Sequence, residues 1–201
     1  MASSDLIHYR RNLPHILPPG ANLFVTFRLA DSLPRVVLDQ LRDEWNLLSQ
    51  EDADESEAYA RQKRYFGRFD HLLDQADHGP IWLSEPTVAE AVREALHYYD
   101  DRAYRLICYC VMPNHVHLVI TLPDDAQPLA RTLQSIKSYT AAKANLLLHR
   151  TGQFWQRESY DHLVRGAAEM ERVISYVLEN PVKAGLVDDW QIWPHTYWKE
   201  E

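Results

Sequence analysis

His115 and His117 stand two residues apart at the start of an apolar run, HVHLVITLP. In an extended strand both imidazoles project from one face, about 7 Å apart along the backbone, and can converge on one metal ion. A plainer reading is two polar side chains at a strand end, satisfied by backbone and water. A histidine-triad hydrolase would need a third histidine two residues on, where this chain has Val119. Cys108 and Cys110 repeat the same spacing in the preceding run YRLICYCVMP, so a zinc site drawing on them is a further reading. Their side chains project in parallel from an extended strand and cannot form a disulfide, so they read as reduced core thiols of a cytosolic protein.

A second group lies near the end of the chain. Arg172, Tyr176 and Asn180 follow at steps of four, on the flank of an apolar helical stripe made by Met170, Val173, Ile174 and Val177. A phenol titrates at about 10 and is a poor nucleophile at neutral pH unless a cation or metal favours the phenolate. Arg172, one turn before the tyrosine, is the supporting cation on this reading. The alternative is a tyrosine that caps the core edge with its hydroxyl in water.

The elements that must position these groups follow from periodicity and punctuation. LFVTFRL (23–29), entered through Pro18-Pro19-Gly20, reads as a first strand. Pro34 opens a helix with Val37, Leu38, Leu41, Trp45 and Leu48 on one stripe. Residues 49–58, SQEDADESEA, read as a solvated loop or helix extension, and 59–83 mix aromatics with charge without a clean period. A helix runs from about Pro86 to Asp101. Two strands, 104–113 and 115–123, meet through Pro113-Asn114, and a long helix fills 128–149. Residues 154–165 are extended, and a last helix spans about 167–180, stopping at Pro181. Strands and helices in this order, without a repeat or a flexible linker, predict one α+β domain over residues 1–201. Its sheet is antiparallel-dominated, and an acidic helical region is inserted at about 35–85.

Net charge is −8, which argues against a protein that grips duplex DNA by bulk electrostatics. The charge is unevenly placed. Residues 39–101 hold 16 acids and 6 bases, whereas 102–187 hold 7 acids and 10 bases. A basic working surface beside an acidic appendage is the expectation, with the stretch at 49–58 off the nucleic-acid path. At 46% hydrophobic and 25% charged residues the composition is that of a globular domain. The opening MASSDLIHYRRN is not apolar and no long apolar run follows, so neither secretion nor a membrane span is expected.

Four ordered segments, VMPNHVHLVI (111–120), SIKSYTA (135–141), FWQRESYDHLVR (154–165) and YVLENPVKAGLV (176–187), carry a family resemblance. Together with YRRNLPHILPPGANLFVTFRLADSLP (9–34), the chain resembles the single-tyrosine HUH transposases of the insertion-sequence type. It is more similar still to their REP-associated branch. The resemblance implies a ferredoxin-like or RRM-like fold, with the histidines on a central strand and helices on one face. It implies that His115 and His117 hold a divalent metal, Mg²⁺ or Mn²⁺, that Asn180 completes the metal shell where many relatives carry Gln, and that Tyr176 is the nucleophile. The implied activity is single-strand-specific cleavage and rejoining of hairpin DNA through a 5′-phosphotyrosine, in DNA recombination and transposition. The implied setting is cytoplasmic and nucleoid-associated, as a monomer or homodimer. A catalytically silent hairpin-binding protein is the alternative. DNA contacts are expected from Arg131, Lys137, Lys143, Arg157 and Arg165, with Trp155 and Tyr160 as stacking surfaces.

Overall fold

The computed structural model describes residues 20–49, 55–75 and 79–199. Their order is β1 (Asn22–Leu29), α1 (Arg35–Ser49), α2 (Glu55–Asp74), α3 (Pro86–Tyr99), β2 (Arg105–Val111) and β3 (His115–Thr121). Then come α4 (Leu129–Leu147), β4 (Trp155–Val164), α5 (Ala167–Leu178), α6 (Asn180–Lys183) and β5 (Thr196–Trp198). The strands form one open sheet in the order β4-β1-β3-β2-β5, every neighbour antiparallel. This is the α+β class expected from the sequence.

Alternation along the strands divides their side chains between two cores. Leu23, Val25 and Phe27 of β1 and Val116, Leu118 and Ile120 of β3 face a layer made by α3 and α4, where they meet Val88, Val92, Leu96, Leu133 and Ile136. Phe24, Cys108, Cys110 and Val119 face the other way and meet Phe66 of α2, Tyr160 of β4, and Val177 and Leu178 of α5. So α3 and α4 supply the expected helical layer, and α2 and α5 add partial cover to the opposite face. Both cysteines are buried and free.

The described part of the stretch at 59–83, which shows no clean period, holds most of α2 and a short turn leading to α3. Phe66 is buried while Tyr65 and Phe69 are half-buried, lining one cavity, so no sharp apolar stripe marks the helix. On the return from α2 the chain passes close to β1: a Cβ built on Gly79, at φ +84°, would come within 2.2 Å of Asp31 O, so only glycine fits. Residues 50–54, the centre of the acidic stretch, lie outside the described residues. The last helix ends at Leu178 and resumes as the single turn α6, with Pro181 in that turn, where its missing N–H costs nothing. The short edge strand β5 carries too few residues to show a period in sequence.

Candidate metal and tyrosine site

β3 runs in the centre of the sheet, and its first residues place His115 and His117 on the face shared with α2 and α5. Both are fully buried. Their Nε2 atoms lie 2.9 Å apart. The outward nitrogens are held. Asn114 Nδ2 donates to Leu73 O at 2.9 Å, which leaves its Oδ1 2.6 Å from His115 Nδ1 as an acceptor. His115 therefore carries its proton on Nδ1 and directs an Nε2 lone pair inward. His117 Nδ1 lies 2.8 Å from Thr26 Oγ1 on β1, and we assign it the same tautomer. Burial depresses both imidazoles, His115 to about 3, so both are neutral at physiological pH, as metal ligands must be.

Two lone pairs facing each other at 2.9 Å repel unless something positive lies between them, and carboxylates surround them. Asp70 Oδ1 is 3.5 Å from His117 Nε2, and Asp74 Oδ1 is 3.6 Å from His115 Nε2. Asp70, His115 and His117 present ligand atoms all within 4.8 Å of one another, a group able to hold a metal ion. Both oxygens of Asp70, Oδ1 of Asp74, and both side-chain atoms of the fully buried Asn180 lack a well-formed hydrogen bond. Orphaned buried acceptors of this kind are costly, and a divalent cation would satisfy the oxygens among them. Burial raises the carboxyl of Asp74 to about 7 against the opposing pull of Lys183 and Asn180, and pushes Asp70 well above the carboxylate range, aided by Asp74. The chemistry of the donor set fits a divalent ion.

α5 and α6 bring the remaining groups. The ring of Tyr176, half-buried, lies 5.7 Å from that of His117 and 6.1 Å from that of Phe24. Lys183 Nζ stands 4.4 Å from the centre of the tyrosine ring. Arg172 is exposed on α5. The cation over the tyrosine ring is therefore Lys183 and not Arg172, the one expected from the sequence. Sequence reading also passed over Asp70 and Asp74, Thr26 and Asn114. The expectation of an acidic appendage apart from the working site is corrected here, because α2 delivers both aspartates to the histidine pair. The signal was Asp70 and Asp74 at i, i+4 beside Phe66, Phe69 and Leu73, carboxylates on the apolar side of a helix.

The expected DNA-contact residues separate into groups. Arg131, Arg157 and Arg165 are exposed. Lys143 is paired with Glu94. Lys137 Nζ is largely buried, donating to the carbonyls of Gln156 and Glu158 and to Ser159 Oγ, so it braces α4 against β4. Trp155 is only 5% exposed and its indole N–H donates to Thr140 Oγ1, which makes it a core residue with no open face for a base. Tyr160 stacks on Phe66 at 3.8 Å between centroids.

Residues 82–180 match the family described as transposase IS200 like. Within that class its similarity runs to REP-associated tyrosine transposases. It is 27% identical over 94 residues to the one of Escherichia coli K12, covering 47% of this chain and 54% of that one. It is 26% identical over 102 residues to a protein of Haemophilus influenzae provisionally given the same name, covering 46% and 58%. The match thus spans little more than half the length of these relatives. A solved structure, described as a REP-associated tyrosine transposase bound to a REP hairpin, shares the fold with a TM-score of 0.54 at 16% identity, over 92% of this chain and 80% of that one. Among the described residues no helix is long and apolar enough to cross a membrane.

Proposed function

We propose that this protein is a metal-dependent DNA strand transferase that cleaves and rejoins hairpin-containing single-stranded DNA, with Tyr176 as the nucleophile. The observation that carries the reading is the convergence of inward Nε2 lone pairs and orphaned buried oxygens beneath the tyrosine ring. On this reading His115, His117 and Asn180, joined by Asp70, hold a divalent cation. A carboxylate in the set makes Mg²⁺ or Mn²⁺ a better match than two imidazoles alone would. The bound ion supplies charge to the scissile phosphate and orients it.

The chain's own residues do the rest. Thr26 and Asn114 fix the imidazole tautomers, so that no proton competes for the inward nitrogens. Lys183 places a positive charge on the tyrosine, where it favours the phenolate and meets the phosphate's developing charge. Tyr176 Oη attacks phosphorus in line, a P–O bond to the tyrosine forms, and the bond to the 3′ oxygen breaks. The phenol proton is lost and the leaving oxygen gains one, giving a 5′-phosphotyrosine and a free 3′-OH. The phosphodiester energy stays in that link, so rejoining needs no nucleotide. The exposed Arg131, Arg157 and Arg165 are the proposed phosphate contacts, which at a net charge of −8 are local rather than global.

Mixing the protein with end-labelled hairpin DNA and Mn²⁺ tests the reading. A denaturant-resistant protein–DNA adduct that vanishes on chelation is the expected result. DNA binding without any adduct would favour the catalytically silent hairpin-binder.

A further inference from the structure

A cavity of about 80 Å³ opens between α1, α2 and the β1–β4 edge of the sheet, on the face that carries the histidine pair. One wall is aromatic, with Tyr65, Phe66 and Phe69 from α2 and Tyr160 from β4, and the β4 side is polar, with Gln156, Ser159 and the Glu158 carboxylate, whose charge acts on Arg28. Thr26 lines it too, and Thr26 Oγ1 is the atom that holds His117 Nδ1. One side chain therefore separates the cavity from the candidate metal ligands. The volume far exceeds the roughly 10–15 Å³ that one water requires.

The cavity also contains a cation. Arg28, only 6% exposed, is tethered through Nη1 to Ser32 Oγ at 3.1 Å and to Leu29 O at 3.4 Å, with its guanidinium carbon 5.8 Å from the Phe69 ring centre. Burial lowers it to about 10, which still leaves it charged at neutral pH. A fixed guanidinium at the rim of an aromatic slot is the arrangement that receives a planar ring with acceptor atoms on its edge. The walls from α1 and α2 lie outside residues 82–180, so the slot is formed in part by the inserted helices.

We propose that this cavity captures one unpaired nucleobase of single-stranded DNA next to the phosphate cut at the metal site, stacking it on Tyr65 and Phe69 and holding its acceptor edge with Arg28. The proposal rests on the strand-transfer reading above and adds to it a base-selecting slot. It gives the inserted helices a part in substrate choice, beyond the aspartates that α2 contributes.

The test uses the full chain with Tyr176→Phe, which binds DNA without cutting it. Mixed-sequence single-stranded 12-mers carrying one 5-iodouracil or 8-bromoguanine are bound, irradiated and mapped by mass spectrometry. Adducts on Tyr65, Phe66, Phe69 or Tyr160 are expected. In parallel, Phe69→Ala and the cavity-filling Leu38→Trp should each weaken binding of the 12-mers roughly tenfold, the scale of one lost stacking contact. Calorimetric affinity for Mn²⁺ should stay unchanged in both, which shows the fold and the metal site intact. Adducts confined to other surfaces, or unaltered DNA affinity in both variants, would overturn the slot while leaving the strand-transfer reading in place. Failure of the Tyr176→Phe protein to bind single-stranded DNA at all would remove the reading and the slot together.

Discussion

His115 Nε2 and His117 Nε2 are 2.9 Å apart, and each is turned inward by a hydrogen-bonded partner on its other nitrogen. Asp70 completes a group of ligand atoms within 4.8 Å of one another that could hold a metal ion, and the cysteines are not among them. Burial raises Cys108 above the normal thiol range and Cys110 to about 12, which keeps both as inert thiols.

Removing either imidazole leaves the other with one partner fewer and the carboxylates uncompensated. His115→Ala and His117→Ala are each expected to lower Mn²⁺ affinity more than about 100-fold, since loss even of an outer-shell partner costs 10–100-fold. Isothermal titration checks this. The fold should persist, because the apolar face of β3 toward α3 and α4 is untouched.

Thr26→Val keeps the shape of β1 and removes the oxygen facing His117 Nδ1. Mn²⁺ affinity should fall roughly tenfold, with far-ultraviolet circular dichroism unchanged. Asn114→Ala should do more, because Asn114 also fastens the end of α2 through Leu73 O. Its melting temperature should fall along with metal affinity.

The buried carboxyls set a pH dependence whose sign is fixed. Asp74, raised to about 7, and Asp70, raised well above the carboxylate range by burial, hold protons in the metal-free fold that the unfolded chain releases near pH 4. Their unfavourable contribution therefore grows as pH rises from about 4, and that of Asp74 is complete once the pH passes about 7. The histidines act in the opposite sense. Because their folded values are depressed, acidification below about 6.5 protonates the unfolded chain first and costs stability. A divalent cation relieves the carboxyls only where they are ionised. The rise in melting temperature on adding Mn²⁺ should be larger at pH 8 than at pH 5.5. Asp74→Asn should raise the melting temperature of the metal-free protein at pH 8.

Glu169 joins three elements. It accepts from Lys63 of α2 at 2.8 Å and from the backbone N–H of Arg165 at 2.8 Å, and stands 3.4 Å from His162 of β4. Glu169→Gln weakens the anchor at the start of the tyrosine helix. A loss of about 1–3 kcal/mol in urea unfolding is expected, with lower adduct yield and unchanged Mn²⁺ affinity.

Much of this architecture was legible in the chain, and the boundaries show why. β1, β3, α4 and α5 announce themselves because each buries one face, so alternation or a 3.6-residue stripe survives in the sequence. His115 with His117, and Tyr176 with Asn180, stand out because each pair is close in sequence, and the family resemblance is what assigns their roles. Asp70 and Asp74 escape such a reading because they join the site from α2, and one-dimensional order carries no trace of such a meeting. Lys183 shares α6 with Asn180 but reads as an ordinary base at a helix end. Trp155 and Lys137 are expected as DNA contacts from the sequence because aromatic and basic residues suit DNA. The structure shows that an indole N–H satisfied by Thr140 and an ammonium satisfied by β4 carbonyls belong to the interior just as well.

The central claim is that Tyr176 becomes covalently joined to DNA. Its direct measurement is mass spectrometry of the peptide that remains attached to labelled hairpin DNA after denaturation and nuclease digestion, in the native chain and in Tyr176→Phe. A nucleotide remnant on the peptide spanning Tyr176, lost in the phenylalanine variant while hairpin affinity stays within about threefold, is the expected result, since one hydroxyl contributes little to ground-state binding. A remnant on another residue, or undiminished adduct in Tyr176→Phe, would contradict the account.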